Sequence, residues 1–244
     1  MDVNTINVPE PQLEYEIVIG IGGGKVIDYA KILAGDNAAI AIPTTAAGAA
    51  LTSHAVFWDM IRKKKMDVPT KKPKLIMRTD FLQDIPKTVI KKTCYDALGH
   101  ALDSYWSKKR NTKSKYLSIK AHKLLIASIK KNFQNTYDII NAGNIAGEAI
   151  EITGTNMTHA ISYPLTATYN IEHGIAVGCA IQPSYQWQKC DLELPSLNIS
   201  INQIDKNEKF FKTIAMGAMS YSKIHDAISD ITESELIKLL KNTM

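Results

Sequence analysis

The sequence predicts an α/β layer followed by an all-helical domain, with the boundary near residue 82 (1–82 and 83–244). Three observations carry that expectation. "YEIVIGIGGGKVIDYAKIL" runs from the β-branched stretch Ile17 to Ile21, through Gly22, Gly23 and Gly24, into a helical pattern. "AAIAIP" (38–43) reads as a second buried strand, stopped by Pro43. After Asp80 the apolar spacing turns helical and strand signals become scarce.

Taken in order, Lys25 to Leu33 is expected to form a helix with Val26, Ile27, Ala30 and Leu33 on one face. "TTAAGAALTS" (44–53) is a loop of small residues, and "HAVFW" and "PKLIMR" look like further strands. The helical part begins with "PKTVIKKTCYDALGHALDSYWS". Amphipathic helices follow over 114–133 and 141–162, and the tail 200–244 is helical. Pro164 lacks an N–H and clashes with the preceding turn, so "YPLTATYN" is expected to be a turn and loop, with a new helix in "EHGIAVGCAI".

Composition narrows the function classes. The 244 residues are 45% hydrophobic and 22% charged, as in ordinary globular proteins. No apolar run reaches the roughly 18 residues of a membrane helix, and the opening residues lack a basic-then-apolar leader, so a cytoplasmic protein that does not engage membrane is expected. Three cysteines, none in CxxC spacing, argue for reduced thiols over a disulfide framework or a cysteine zinc site. The net charge of +5 is concentrated in lysine clusters at 62–65, 71–74, 91–92 and 108–110. No aromatics are interleaved with them, so they read as solvated surface and no nucleic-acid partner is expected; one cluster could still attract an anionic cofactor or substrate.

Two groups of residues could carry chemistry. Asp96 and His100 stand four apart and share a helix face, where they could grip one ion or simply form a surface pair. His159 and His173 would lie about 21 Å apart on one straight helix, but a chain folded back between them could bring both to Asp96 and His100. One oxygen and three nitrogen ligands suit Fe²⁺ or Zn²⁺ and suit Mg²⁺ or Ca²⁺ poorly. The alternative is that both histidines are ordinary core or cap residues. Gly23, Gly24 and Lys25 open a helix, where backbone N–H groups and the dipole can hold a phosphate; the alternative is a plain tight turn.

Taken together, "GGGKVIDYAK", "IPTTAAGAALTSHAVF", "YDALGHALDSYWS" and "HAISYPLTATYNIEHGIAVG" resemble the iron-containing alcohol dehydrogenase superfamily over about residues 17–183. The resemblance implies a dinucleotide-binding α/β domain of the dehydroquinate synthase-like architecture, a helical metal-binding domain, and an active site in the cleft between them. It implies Asp96, His100, His159 and His173 as ligands of Fe²⁺ or Zn²⁺. Gly23, Gly24 and Lys25 fall on the pyrophosphate loop of NADH or NADPH, and Asp28, Thr44, Thr45 and Ser53 on positions lining the dinucleotide. No catalytic residue beyond the metal ligands is evident. The implied reaction interconverts an aldehyde and a primary alcohol.

Three departures from the family pattern stand out. Tyr163 occupies the place of a further histidine, Ala49 that of an acidic residue of glycerol dehydrogenases, and the chain looks shortened at both ends. "DSYWS" and "HAISYPLT" are most similar to the branch that reduces phosphonoacetaldehyde to 2-hydroxyethylphosphonate, which implies an anionic substrate. Two other readings share these features: a truncated metal-binding relative without catalysis, and a sugar-phosphate cyclase of the dehydroquinate synthase type, against which "DALGH" argues. An open sheet edge in a shortened domain implies a homodimer.

Overall fold

A computed structural model describes residues 16–59, 64–197, 199, 201 and 204–244. The opening segment 1–15 and the side chains of the basic cluster 62–65 lie outside that description, as do residues 200, 202 and 203 at the start of the expected helical tail.

Strand β1 (Ile17–Gly22) leads through the glycine turn into α1 (Gly24–Ala34), and β2 (Ala38–Pro43) returns beside β1. The two pair in parallel from Ile17 with Ala38 to Gly22 with Pro43. A short helical connection lets β2 follow β1 in parallel because α1 packs back on the sheet. Gly20 permits this packing: a Cβ there would lie 2.8 Å from the Ala30 Cβ. α1 buries Ile27, Asp28, Ala30, Lys31 and Ala34, whereas Val26 is 47% exposed, so the helix is rotated from the face expected for it. The reason is a charge pair. Lys31 is fully buried and donates to Asp28 Oδ1 (2.8 Å), Thr52 Oγ1 (3.2 Å) and the His54 carbonyl (2.6 Å), which satisfies an ammonium that would otherwise be costly to bury.

A 3-10 turn at Ala49–Leu51 follows. Next comes an antiparallel hairpin of β3 (His54–Asp59) and β4 (Lys64–Pro69), paired from His54 with Pro69 to Asp59 with Lys64. The sequence had suggested solvated surface where β4 begins; its lysines mask the strand pattern. The expected strand in "PKLIMR" shrinks to β5 (Lys74–Leu75), which pairs in parallel with β2 to give the order β1-β2-β5.

From residue 87 the described chain is helical: α2 (Lys87–Tyr105), α3 (Thr112–Lys130), α4 (Thr136–Thr153), α5 (Met157–Tyr169), α6 (His173–Trp187), α7 (Glu208–Met219) and α8 (Glu233–Thr243). The single helix expected over 141–162 is two. Gly154, with φ +68°, ends α4, and Asn156 caps α5 through its side chain. The loop expected around Pro164 is also corrected, since Pro164 lies inside α5. Its ring packs on α7, where a Cβ on Gly217 would meet the Pro164 Cβ at 2.7 Å. Tertiary packing therefore holds a helix through a residue that disfavours one. The chain reverses six residues later, at Asn170 in the left-handed region. Leu98, Leu102, Leu125, Ile139, Ile140, Met157, Ile161 and Phe210 form the centre of the bundle core. No helix among the described residues is long and apolar enough to cross a membrane. Cys94 is a buried free thiol, and Cys179 and Cys190 are half-buried free thiols.

One face of α4 seats the loop that follows β2. Residues 143, 147 and 151 stand at successive i, i+4 positions. A Cβ on Gly143 would come within 2.7 Å of the Ala46 Cα, and one on Gly147 within 2.9 Å of the Gly48 Cα. Glu151 accepts from the Ser53 N–H (2.9 Å) and the Ser53 hydroxyl (2.6 Å). The loop carrying Thr44, Thr45 and Ser53 is thereby fixed against the helical bundle.

Candidate metal centre

Asp96 and His100 face inward from the middle of α2, and both are buried. His159 is the third residue of α5 and His173 the first of α6, so the turn at 170–172 brings the two histidines together; their rings lie 5.8 Å apart. Three imidazole Nε2 atoms converge on Asp96 Oδ1: His159 at 3.4 Å, His173 at 3.5 Å and His100 at 3.9 Å. The His100 and His159 rings stack at 4.4 Å with planes 2° apart. Gly99 makes room for this, because a Cβ there would strike Val177 and sit 3.3 Å from His159 Cε1.

Asp96 Oδ1 and His159 Nε2 are buried without a hydrogen-bond partner. Unsatisfied buried polar atoms are costly, and here they point at one another across a space bounded by nitrogen and oxygen donors. Asp96, His100 and His159 could hold an ion between them, and His173 Nε2 lies 3.5 Å from the same Asp96 oxygen. The donors match a borderline cation such as Fe²⁺ or Zn²⁺.

The electrostatics agree. Burial pushes the His100 imidazole down to about 3. Burial would raise the Asp96 carboxyl, but His100 and the other two imidazoles outweigh it and hold the carboxyl well below its usual range. A neutral histidine and an ionised carboxylate are the forms a cation requires. Burial also opposes charge on His159, yet its partners Asp103 and Asp96 raise its pKa.

Asp103 was missed in the sequence. It is fully buried, its Oδ2 lies 2.8 Å from His159 Nδ1, and it accepts from backbone N–H groups at the start of α5. Its signal was available: positions 96, 100 and 103 share one helix face. Tyr163 lines the same space. Its ring lies nearly parallel to His173 at 6.2 Å, and its hydroxyl is 3.3 Å from Thr155 Oγ1. Burial raises its pKa, so the phenol keeps its proton.

The residues expected to line a dinucleotide lie on α1 and on the loop that follows β2. α1 begins at Gly23 with no side-chain cap and no acidic residue in its first turn, where Lys25 stands. A Cβ on Gly23 would lie 3.3 Å from Thr45 Cγ2, and one on Gly24 3.2 Å from the Ala47 Cβ. Thr44 and Thr45 border a cavity of about 450 Å³ whose far wall is Asp80, Phe81, residues 83–86 and Val89. Asp28 and Ser53 are engaged within the protein. Asp28 pairs with Lys31 and accepts from the Val56 N–H (3.1 Å), and Ser53 is bonded to Glu151.

This fold and cluster define a two-part protein whose helical bundle carries a candidate metal site. Residues 90–241 match the model of the "Fe-containing alcohol dehydrogenase family, C-terminal", and residues 2–86 match that of "Iron-containing alcohol dehydrogenase". The chain belongs to the iron-containing alcohol dehydrogenase family. It is 26% identical to long-chain-alcohol dehydrogenase 1 of Geobacillus thermodenitrificans, over 94% of this chain and 69% of that protein. It is also 26% identical to phosphonoacetaldehyde reductase of Streptomyces viridochromogenes, over 68% of this chain and 51% of that one. Among solved structures, sulfoacetaldehyde reductase from Bifidobacterium kashiwanohense in complex with NAD⁺ superposes with a TM-score of 0.79 at 19% identity, covering 93% of this chain and 76% of that one. The chain spans about half the length of several of the curated relatives it matches.

Proposed function

We propose that Asp96, His100, His159 and His173 bind one Fe²⁺ or Zn²⁺, and that the chain works as an NADH- or NADPH-linked reductase interconverting an aldehyde and a primary alcohol. The observation that carries this reading is the convergence of three imidazole nitrogens on Asp96 Oδ1, with Asp96 Oδ1 and His159 Nε2 otherwise unsatisfied. The bound ion would supply Lewis acidity at a substrate oxygen. Residues 83–244 form the metal-binding domain in this reading and 1–82 the nucleotide-binding one.

The chain's own residues do the rest. The Gly23–Gly24 turn gives a pyrophosphate access to the uncapped start of α1, and Lys25 adds a positive charge there. Thr44 and Thr45 offer hydroxyls to the cavity beside that turn. Asp28 and Ser53 act by holding α1 and the loop in place, through Lys31 and Glu151. Gly143 and Gly147 keep the loop at a fixed distance from α4, and so from the metal cluster. Tyr163 keeps its proton and can donate a hydrogen bond to a substrate, but it is a poor acid at neutral pH.

The relatives support small aldehydes as substrates. Two of them, a phosphonoacetaldehyde reductase and a sulfoacetaldehyde reductase, support an anionic one. Phosphonoacetaldehyde, giving 2-hydroxyethylphosphonate, is the substrate we put first. Among the described residues β1 is an edge strand with Ile17, Ile19 and Ile21 exposed, which supports a homodimer. The test is fluorescence titration of NADH and NADPH into Zn²⁺- or Fe²⁺-loaded protein, with and without phosphonoacetaldehyde. Binding followed by cofactor oxidation is the expected result. Metal uptake without nucleotide binding would overturn the reductase reading and leave a metal-binding relative.

A further inference from the structure

We propose that Asp103 is a positioning residue: its carboxylate holds His159 as the Nδ1–H tautomer, so that Nε2 presents its lone pair toward Asp96. This inference rests on the metal-site reading above, and it ties the start of one helix to the geometry of that site.

Asp103 is 0% exposed, and the groups facing it are donors. Oδ2 accepts from the Asn156 N–H (2.9 Å), the His159 N–H (3.2 Å) and His159 Nδ1 (2.8 Å). Oδ1 accepts from the Thr158 N–H (2.9 Å) and Trp106 Nε1 (3.3 Å). A group surrounded by N–H donors must be acceptor-only, which an ionised carboxylate is and an amide is not. With Oδ2 committed to that role, the proton of a neutral His159 has one favourable place, Nδ1. In the neutral ring Nε2 is then left as an acceptor beside Asp96 Oδ1, an arrangement that either a proton or a metal cation between them relieves.

The same carboxylate caps α5, because the Thr158 and His159 N–H groups belong to its first turn. Asn156 completes the junction. Its side chain donates to the Asp103 carbonyl (2.7 Å) and accepts from Trp106 Nε1 (2.9 Å) and the Met157 N–H (2.7 Å). The helix therefore cannot begin in its observed register without Asp103 also gripping the ring of His159. One residue specifies both where α5 starts and which nitrogen of His159 faces the cluster.

Asp103→Asn tests it. Either orientation of the amide sets its NH₂ against N–H donors. With the NH₂ in the place of Oδ2 it faces the Asn156 and His159 N–H groups and His159 Nδ1, which becomes the acceptor and sends the proton to Nε2, so the ring cannot ligate. With the NH₂ in the place of Oδ1 it faces the Thr158 N–H and Trp106 Nε1, and His159 keeps only a neutral amide oxygen on Nδ1–H, a weaker hold that lowers the basicity of Nε2. We expect Zn²⁺ affinity, measured by chelator competition, to fall about 10- to 100-fold. Trp106→Phe removes one donor to Asp103 without touching His159 and should keep wild-type affinity. Long-range ¹H–¹⁵N NMR of the metal-free wild type at alkaline pH, where His159 is neutral, should show the Nδ1–H tautomer.

An Nε2–H tautomer in the wild type, or wild-type Zn²⁺ affinity in folded Asp103→Asn, would overturn the proposal. If Asp103→Asn does not fold, the wild-type tautomer decides it alone. If the wild type binds no Zn²⁺, the metal reading falls, while the tautomer still tells whether Asp103 positions the ring.

Discussion

Gly143→Ala should destabilise the protein although it adds a better helix former. Gly143 lies in the interior of α4, where alanine is favoured over glycine by about 1 kcal/mol. On propensity alone the melting temperature would rise by about 2–4 °C for a chain of this size. The packing gives the opposite sign. The new Cβ would lie 2.7 Å from both the carbonyl carbon and the Cα of Ala46, and closer still to its carbonyl oxygen. These are backbone atoms of the loop after β2, pinned further along by the bonds from Ser53 to Glu151, so no side-chain rotation relieves the contact. Overpacking costs about 1–3 kcal/mol, and a clash with anchored backbone belongs near the upper end. Subtracting the helix gain leaves a net loss of about 2 kcal/mol, or a fall of about 4–8 °C in Tm. Scanning calorimetry of the metal-free protein measures it. A Tm equal to or above wild type would refute the view that α4 seats the loop by direct backbone contact.

Three further outcomes follow from the same geometry. Metal-free protein should lose stability on acidification. The unfolded chain protonates His100 near 6.5 while burial holds the folded residue down to about 3, so the loss runs through that window; the lowered Asp103 contributes stability above 3.8 that is lost as pH falls further. Urea midpoints against pH should show this decline, and His100→Gln should flatten the part between 6.5 and 3. His173→Ala should lower Zn²⁺ affinity at least tenfold without shifting the far-ultraviolet circular dichroism, since His173 sits partly exposed at the first position of α6 and is not a core residue; unchanged affinity would remove it from the ligand set. Lys25→Ala should weaken NADH binding by a factor of about 5 or more, the loss of one charge at a phosphate site, and an unaltered dissociation constant by fluorescence titration would place the pyrophosphate elsewhere.

The parts of this fold that were legible are those whose signal is local. Ile17 to Ile21, the three glycines and the helix after them form a strand–turn–helix whose pattern needs no distant partner. Asp96 and His100 share a face because helical spacing puts them there. What was illegible depends on contacts far along the chain. Pro164 stays helical because Gly217, more than fifty residues later, makes room for its ring. β4 hides behind lysines because a hairpin strand needs only one partner, and Lys74–Leu75 is a strand only because β2 lies beside it. Asp28 looked like a site residue, and its buried pairing with Lys31 appears only once β3 is in place to supply the Val56 N–H. Asp103 carried its spacing signal openly, but its meaning depends on where α5 begins, and that is set by Gly154 and Asn156.

The central claim is that four side chains from α2, α5 and α6 hold one ion. The direct measurement is metal content by mass spectrometry after anaerobic loading with Fe²⁺, or loading with Zn²⁺, followed by desalting, for the wild type and for Asp96→Ala. The account predicts one ion retained per wild-type chain and none in Asp96→Ala, which removes the oxygen on which all three imidazoles converge. A wild type that retains no ion, or an Asp96→Ala variant that retains as much as the wild type, would contradict it.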